Sequence, residues 1–216
     1  WQDRRTENFC ETLREKNLTK LIQSKTGLII DPYFSATKIK WIIENIEEAK
    51  KTIHENHLLV GTIDSWLIWN FTKGECHYTD VTNASRTMLY NINEDCWDDE
   101  LLNIFNINKN ILPDVKNCAD DFGAIDSSFF GEKISIGGVA GDQQAATIGQ
   151  ACFKEGMVKS TYGTGCFLLM NTGNKFIESE SKLLSTKAYN IFDKKDFALD
   201  VSYTHLRAHE TVRNLG

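Results

Sequence analysis

Two short segments hold the side chains best suited to chemistry: Gly141-Asp142-Gln143-Gln144 and Thr161-Tyr162-Gly163-Thr164-Gly165. Residues 134–139 read as a strand and 143–150 as a helix, so Asp142 falls where a strand hands over to a helix N-terminus. That end of a helix favours an anion. A carboxylate held there can take the proton of a hydroxyl as its oxygen attacks phosphorus. Gln143 adds amide donors and an acceptor, which suit a neutral hydroxylated ligand. In the second segment, Gly163 and Gly165 let backbone N–H groups approach phosphate oxygens, and Thr164 supplies a hydroxyl. Each piece alone has a plainer reading: a Gly-Asp step often caps a helix, and Gly-Thr-Gly often makes a tight turn.

Those segments need elements to hold them. Residues 3–15 carry Phe9, Cys10 and Leu13 near one stripe of an amphipathic helix. A second helix over 18–25 ends at Gly27, a good C-terminal breaker. Asp31-Pro32 must be extended or turned. Ser35 can then cap a helix reaching residue 54, with Ile39, Trp41, Ile42, Ile46 and Ala49 along its inner face. Residues 58–62 suggest a short strand, and Asp64 suggests the cap of a helix carrying Trp66, Leu67, Trp69 and Phe71. Polar, turn-rich sequence covers 73–87, and 97–105 reads as a helix with acids in its first turn. Residues 157–162 and 166–170 form a hairpin around Gly163-Thr164-Gly165. Strands mixed with helices give an α/β or α+β chain.

Composition narrows the function classes. The chain has 216 residues, 41% hydrophobic and 11% aromatic, enough for a folded core. A net charge of −6 argues against a nucleic-acid surface. No apolar run approaches the roughly 20 residues of a transmembrane segment, and Trp1-Gln2-Asp3-Arg4-Arg5 does not open a signal peptide. The six cysteines (Cys10, Cys76, Cys96, Cys118, Cys152, Cys166) are scattered, without the close pairs of a zinc site or the density of a disulfide scaffold. Free thiols in a cytoplasmic protein are the expectation.

Longer motifs carry a resemblance. Gly141-Asp142-Gln143-Gln144-Ala145-Ala146, Glu155-Gly156-Met157 and Thr161-Tyr162-Gly163-Thr164-Gly165-Cys166-Phe167 resemble the FGGY carbohydrate kinase family, and within it the members acting on glycerol. So do Asp31-Pro32-Tyr33-Phe34-Ser35, Asp64-Ser65-Trp66-Leu67-Ile68-Trp69 and Thr82-Asn83-Ala84-Ser85-Arg86-Thr87-Met88, in consistent order from Trp1 to about Leu199. The resemblance implies a ribonuclease-H-like, actin-like α/β fold, of which residues 1–200 would be part of the first domain. It implies transfer of phosphate from ATP, with Mg²⁺, to glycerol. Asp142 would be the general base, and Gln143 and Tyr33 would hydrogen-bond other glycerol hydroxyls. Trp1 and Phe167 would pack on the carbon backbone, while Gly163 and Thr164 would meet the transferred phosphate. Small polar ligands with carbon faces suit such a mixed aromatic and polar set. A homo-oligomer of the full-length protein is compatible with the same resemblance.

Several departures matter. The family's N-terminal phosphate hairpin (an Asp-Gln-Gly-Thr-Thr type), the Arg-Glu pair ahead of Trp1 and the adenine-binding second domain are absent from these 216 residues, which alone are expected to be inactive. Phe130-Gly131-Glu132-Lys133 has Lys where a regulatory sugar-bisphosphate loop would carry Arg, so that regulation is not carried over. Residues 201–216 resemble translated adaptor sequence, and His205, His209 and Glu210 within them are not read as a metal site. Two alternatives stand beside the glycerol reading: a family member for another polyol or sugar, and a noncatalytic actin-like binding protein.

Overall fold

The computed structural model describes residues 3–55, 57–162, 166–179 and 183–203. Its first half is mostly helical. Helix α1 (Glu7–Glu15) buries Cys10 and Leu13, and Phe9 meets Phe105 edge-on, with ring centroids 6.0 Å apart. Helix α2 (Thr19–Thr26) ends at Gly27, whose φ of +72° is left-handed. A Cβ there would also sit 2.2 Å from the Ser185 carbonyl oxygen, so both conformation and space require glycine. Ser185 N–H donates to Gly27 O at 2.8 Å, which docks this end of α2 on the sheet described below.

The long helix expected over 35–54 is two helices, α3 (Ser35–Asn45) and α4 (Glu47–His54). Ile46 between them is extended, at φ −104° and ψ 114°. Asn45 turns its amide back to Trp41 O at 2.8 Å, while Glu47 and Glu48 give α4 a favourable first turn of its own. The break rotates the expected inner face: Ala49 is buried, but Ile42 and Ile46 are exposed. Ser35 lies inside α3 and makes no side-chain cap.

Residues 58–62 do not form a strand. Val60 makes one backbone bond, to Ile111 O at 2.9 Å, with no ladder beyond it. Helix α5 (Ile63–Phe71) starts after Thr62, and neither Thr62 nor Asp64 caps it with a side chain. Asp64 instead lies buried in the first turn, accepting from Thr62 Oγ1 at 2.5 Å and Thr79 Oγ1 at 2.7 Å.

The stretch read as turn-rich contains strand β1 (Tyr78–Asp80) and helix α6 (Val81–Ala84). Strands β2 (Tyr90–Asn91) and β3 (Cys96–Trp97) then pair as a small antiparallel ribbon. Helix α7 (Asp99–Phe105) is capped by Asp98, which accepts from Glu100 N and Leu101 N. Strand β4 (Asp114–Lys116) runs parallel to β1. Strand β5 (Ala124–Ile125), helix α8 (Ser127–Phe130) and strand β6 (Ile134–Ser135) follow. Only two residues of the expected 134–139 strand pair regularly, antiparallel to β5. The rest is held by separate bonds, including Ile136 N to Gly123 O and Val139 N to Cys118 O.

Helix α9 (Asp142–Gly149) leads into a four-stranded antiparallel sheet of β7 (Val158–Tyr162), β8 (Cys166–Gly173), β9 (Leu184–Ile191) and β10 (Lys194–Tyr203), in the order β7-β8-β10-β9. Strands β7 and β8 are the expected hairpin. Strand β10 runs on through Val201, Ser202 and Tyr203, past the boundary expected at residue 200. The core is continuous across both halves, joining Leu13, Ile22, Leu28, Leu89 and Phe105 to Leu169, Tyr189 and Ala198. All six cysteines are free.

Candidate functional site

A cavity of about 600 Å³ lies between α9, the loop before α3, α5 and the face of the sheet. Its polar side carries Tyr33, Arg86, Asp142, Gln143 and Asp200 with the Phe167 ring; Ile63, Leu67, Phe71, Ile125 and Ile136 form an apolar wall. Four of the residues singled out from sequence, Tyr33, Asp142, Gln143 and Phe167, are thus brought together. Trp1, Gly163 and Thr164 lie outside the described residues.

Tyr33 is set by an Asx turn. Asp31 Oδ1 accepts from Tyr33 N at 2.8 Å, and Pro32 restricts the backbone between them. The Tyr33 ring meets Phe34 edge-on at 5.1 Å, and Lys38 Nζ donates to the Tyr33 carbonyl. The Arg86 guanidinium lies 5.9 Å from the Tyr33 ring and 5.5 Å from Phe34. Arg86 pairs at 3.0 Å with Asp200, which is buried.

Asp142 opens α9 as expected, after an extended Gly141. The start of this helix is tied down from a distant part of the chain. Thr82 Oγ1 accepts from Gly141 N at 2.8 Å and donates to Asp80 Oδ2 at 2.6 Å. Asp80 has no exposed surface. It also accepts from Thr82 N, Asn83 N, Asn83 Nδ2 and Cys118 Sγ. Burial raises the Asp80 pKa despite the opposing hydrogen bonds from Thr82 and Asn83. The chain Asp80–Thr82–Gly141 therefore fixes where Asp142 sits. The Asp142 carboxylate is exposed, taking Gln143 N–H on Oδ1 at 2.8 Å and Gln143 Nε2–H on Oδ2 at 3.1 Å. Each oxygen keeps a further acceptor position for a ligand hydroxyl.

The sheet supplies the opposite side. Lys159 on β7 faces Leu169 on β8, which faces Asp200 on β10; Thr161 and Phe167 form the adjacent pair. The two-residue period puts all five on one face. Lys159 donates to Gln143 Oε1 and, at 2.9 Å, to Thr161 Oγ1. Sequence reasoning gave no role to Lys159, Arg86, Asp200, Asp80 or Thr82. Arg86, Asp80 and Thr82 lie in or beside a quoted motif, but a residue type alone does not reveal a partner on another strand. Among the described residues, no group of three His, Cys, Asp or Glu could hold a metal ion, and no helix is long and apolar enough to cross a membrane.

This arrangement has close parallels. Over 99% of the chain, the backbone superposes on glycerol kinase of Plasmodium falciparum, solved with ADP, at a TM-score of 0.90 and 45% identity, covering 42% of that protein. A xylulose kinase from Lactobacillus acidophilus shares the fold at a TM-score of 0.77 and 22% identity. The fold is thus of the actin-like α/β kinase class. The chain belongs to the FGGY family of carbohydrate kinases, whose N-terminal domain model matches residues 1–149. Glycerol kinases of Marinomonas sp. (strain MWYL1) and Rhizobium meliloti (strain 1021) are 54% and 56% identical over 202 residues, 94% of this chain. The chain spans 41% of the length of each.

Proposed function

We propose that the full-length protein transfers phosphate from ATP to glycerol, and that this chain carries the glycerol-binding side and the base. The observation that carries the reading is the meeting of Tyr33, Asp142, Gln143 and Phe167 on one cavity, in a chain more than half identical to glycerol kinases. Asp142 takes the proton from the attacking hydroxyl as its oxygen bonds to the terminal phosphorus of ATP and the bond from that phosphorus to the bridging oxygen breaks, releasing ADP. Gln143 and Tyr33 hydrogen-bond the other hydroxyls, and Phe167 covers the carbon chain. Trp1 is proposed as a second aromatic wall, with Gly163 and Thr164 meeting the phosphate.

ATP enters as a substrate with Mg²⁺ on its phosphates. Mg²⁺ takes oxygen ligands, and the Asp142 carboxylate is exposed on the cavity with no ion pair among the described residues. Asp200 is instead taken by Arg86. Among the described residues no acidic cluster holds the ion, so Mg²⁺ would come with the ATP phosphates and lower their charge, leaving Asp142 to the role of base. A cytoplasmic location goes with this reading, since ATP is available there.

The test is ADP formation by the full-length protein, measured with glycerol, xylulose and gluconate in turn. Turnover selective for glycerol is expected. Turnover on a sugar with none on glycerol would move the assignment to another branch of the family, and none on any polyol would favour a noncatalytic role.

A further inference from the structure

We infer that Lys159 is a positioning residue of this site, which locks the Gln143 side-chain amide in one orientation so that Gln143 presents its remaining N–H to a substrate hydroxyl. The inference deepens the kinase reading and rests on it for the identity of the substrate.

Lys159 is 1% exposed, too enclosed to meet a ligand itself. Its Nζ donates to Gln143 Oε1 and to Thr161 Oγ1. An ammonium has donors and no acceptor, so the amide must turn its oxygen toward it. At the other end, Asp142 Oδ2 accepts from Gln143 Nε2 at 3.1 Å, and a carboxylate anion has no proton to give. Both contacts therefore require the same one of the two amide orientations. A glutamine amide turns readily about its last torsion, which is broad and roughly two-fold. Here both ends are held.

The consequence is chemical. With one lone pair of Oε1 taken by Lys159 and one N–H spent on Asp142, Gln143 has its second N–H, beside Asp142, left for a ligand oxygen. A hydroxyl satisfies both neighbours, accepting from Gln143 while donating its proton to Asp142. That is the geometry a proton abstraction needs. A ketone or ether oxygen could accept the N–H but has nothing to give Asp142. Burial lowers the pKa of Lys159, and the charges of Asp200 and Asp142 act against that shift. The lysine's hydrogen-bond partners are a neutral amide and a neutral hydroxyl.

The experiment combines a double-mutant cycle with an observation of the amide itself, both on the full-length protein. Lys159→Met is expected to lower kcat/KM for glycerol about tenfold, the effect of losing one oriented hydrogen bond. In a Gln143→Ala background the same substitution should change kcat/KM less than about twofold, since its target is gone. A full tenfold loss in both backgrounds would overturn the inference, because Lys159 would then act without Gln143. Separately, the ¹⁵N–¹H signals of the Gln143 side-chain amide, without ligand, should move in Lys159→Met and move less in Thr161→Val, which removes the second anchor of Nζ. If Lys159→Met does not fold, Thr161→Val still decides. Amide signals that stay in place in every folded variant would sink the proposal. A wild-type protein with no glycerol turnover would defeat the kinase reading alone, leaving the amide measurement to judge Lys159.

Discussion

Lys187 on β9 and Lys159 on β7 are both sealed from solvent, at 2% and 1% exposure, but their surroundings differ in kind. Lys187 Nζ meets Asp95 at 2.6 Å and lies 4.3 Å from the Phe197 ring centroid. Asp95 is shared with Lys195 at 2.9 Å. Here a buried charge is answered by an opposite charge, and the cluster ties the β3 turn to the sheet. Lys159 meets an amide and a hydroxyl, and the nearby carboxylates act on it through space. A cation used for structure is neutralised where it sits. One whose hydrogen bonds are spent on aiming neutral groups beside a cavity is better explained by what those groups do.

The largest effect tests the cavity end of that contrast. Asp142→Asn in the full-length protein should lower glycerol-dependent ADP formation by about 10²–10⁴-fold, the range for loss of a general base. Near-wild-type turnover would remove Asp142 from that role. At the structural end, Asp95→Asn should reduce unfolding free energy by about 2–3 kcal/mol, because Lys187 loses its counter-charge. Asn tolerates the left-handed φ of +56° at this position, so the change isolates charge from backbone. Urea unfolding of wild type, Asp95→Asn and Lys159→Met gives the comparison directly. Lys159→Met should cost about 1 kcal/mol, a hydrogen-bond effect. If it costs as much as Asp95→Asn, the two lysines are alike and the contrast fails.

What the sequence revealed follows the same division. Asp142 and Gln143 were legible because a glycine and a helix start are neighbours in the chain, although the strand expected just before them is only two residues long. The turn before Tyr33 was legible from Asp31-Pro32, but Tyr33 itself was singled out only through the resemblance. The groups that aim these side chains were not legible. Thr82 reaches Gly141 across 59 residues, and Lys159 reaches Gln143 across 16. Arg86 meets Asp200 because Ser85 is tied to Thr186 on β9, and β10 pairs beside β9. The false strand over 58–62 has a physical reason too. Leu58 and Val60 pack partly against the core, which gives a strand-like alternation without a partner strand to complete a ladder. The division of α3 from α4 was hidden because Ile46 breaks the helix without proline or glycine.

A smaller effect probes the tether between these regions. Thr82→Val keeps shape but removes the donor to Asp80 and the acceptor for Gly141 N. It should cost about 1–3 kcal/mol in urea unfolding, since both partners are buried or nearly so. Turnover should fall with it, because Asp142 loses its fixed starting point. Stability lost with turnover intact would show that α9 is held by its own packing.

The last test follows the Asp95 effect with pH. Burial opposes ionisation of Asp95, but hydrogen bonds and charges from Lys187 and Lys195 outweigh it and lower its pKa below 3.8. A carboxyl whose folded pKa is depressed contributes stability that is fully present above its unfolded pKa. That contribution disappears as pH falls through the folded value. The gap in unfolding free energy between wild type and Asp95→Asn should therefore be constant from pH 7 to about pH 5. Below 3.8 it should close progressively, as the wild-type carboxyl takes up a proton and the two side chains become alike in charge. Unfolding measured across that range, at fixed ionic strength, gives the curve. A gap that stays open in strong acid would mean that the Asn amide disrupts the turn itself. Lys187 would then owe its burial to the Phe197 ring and the sheet, not to its counter-charge.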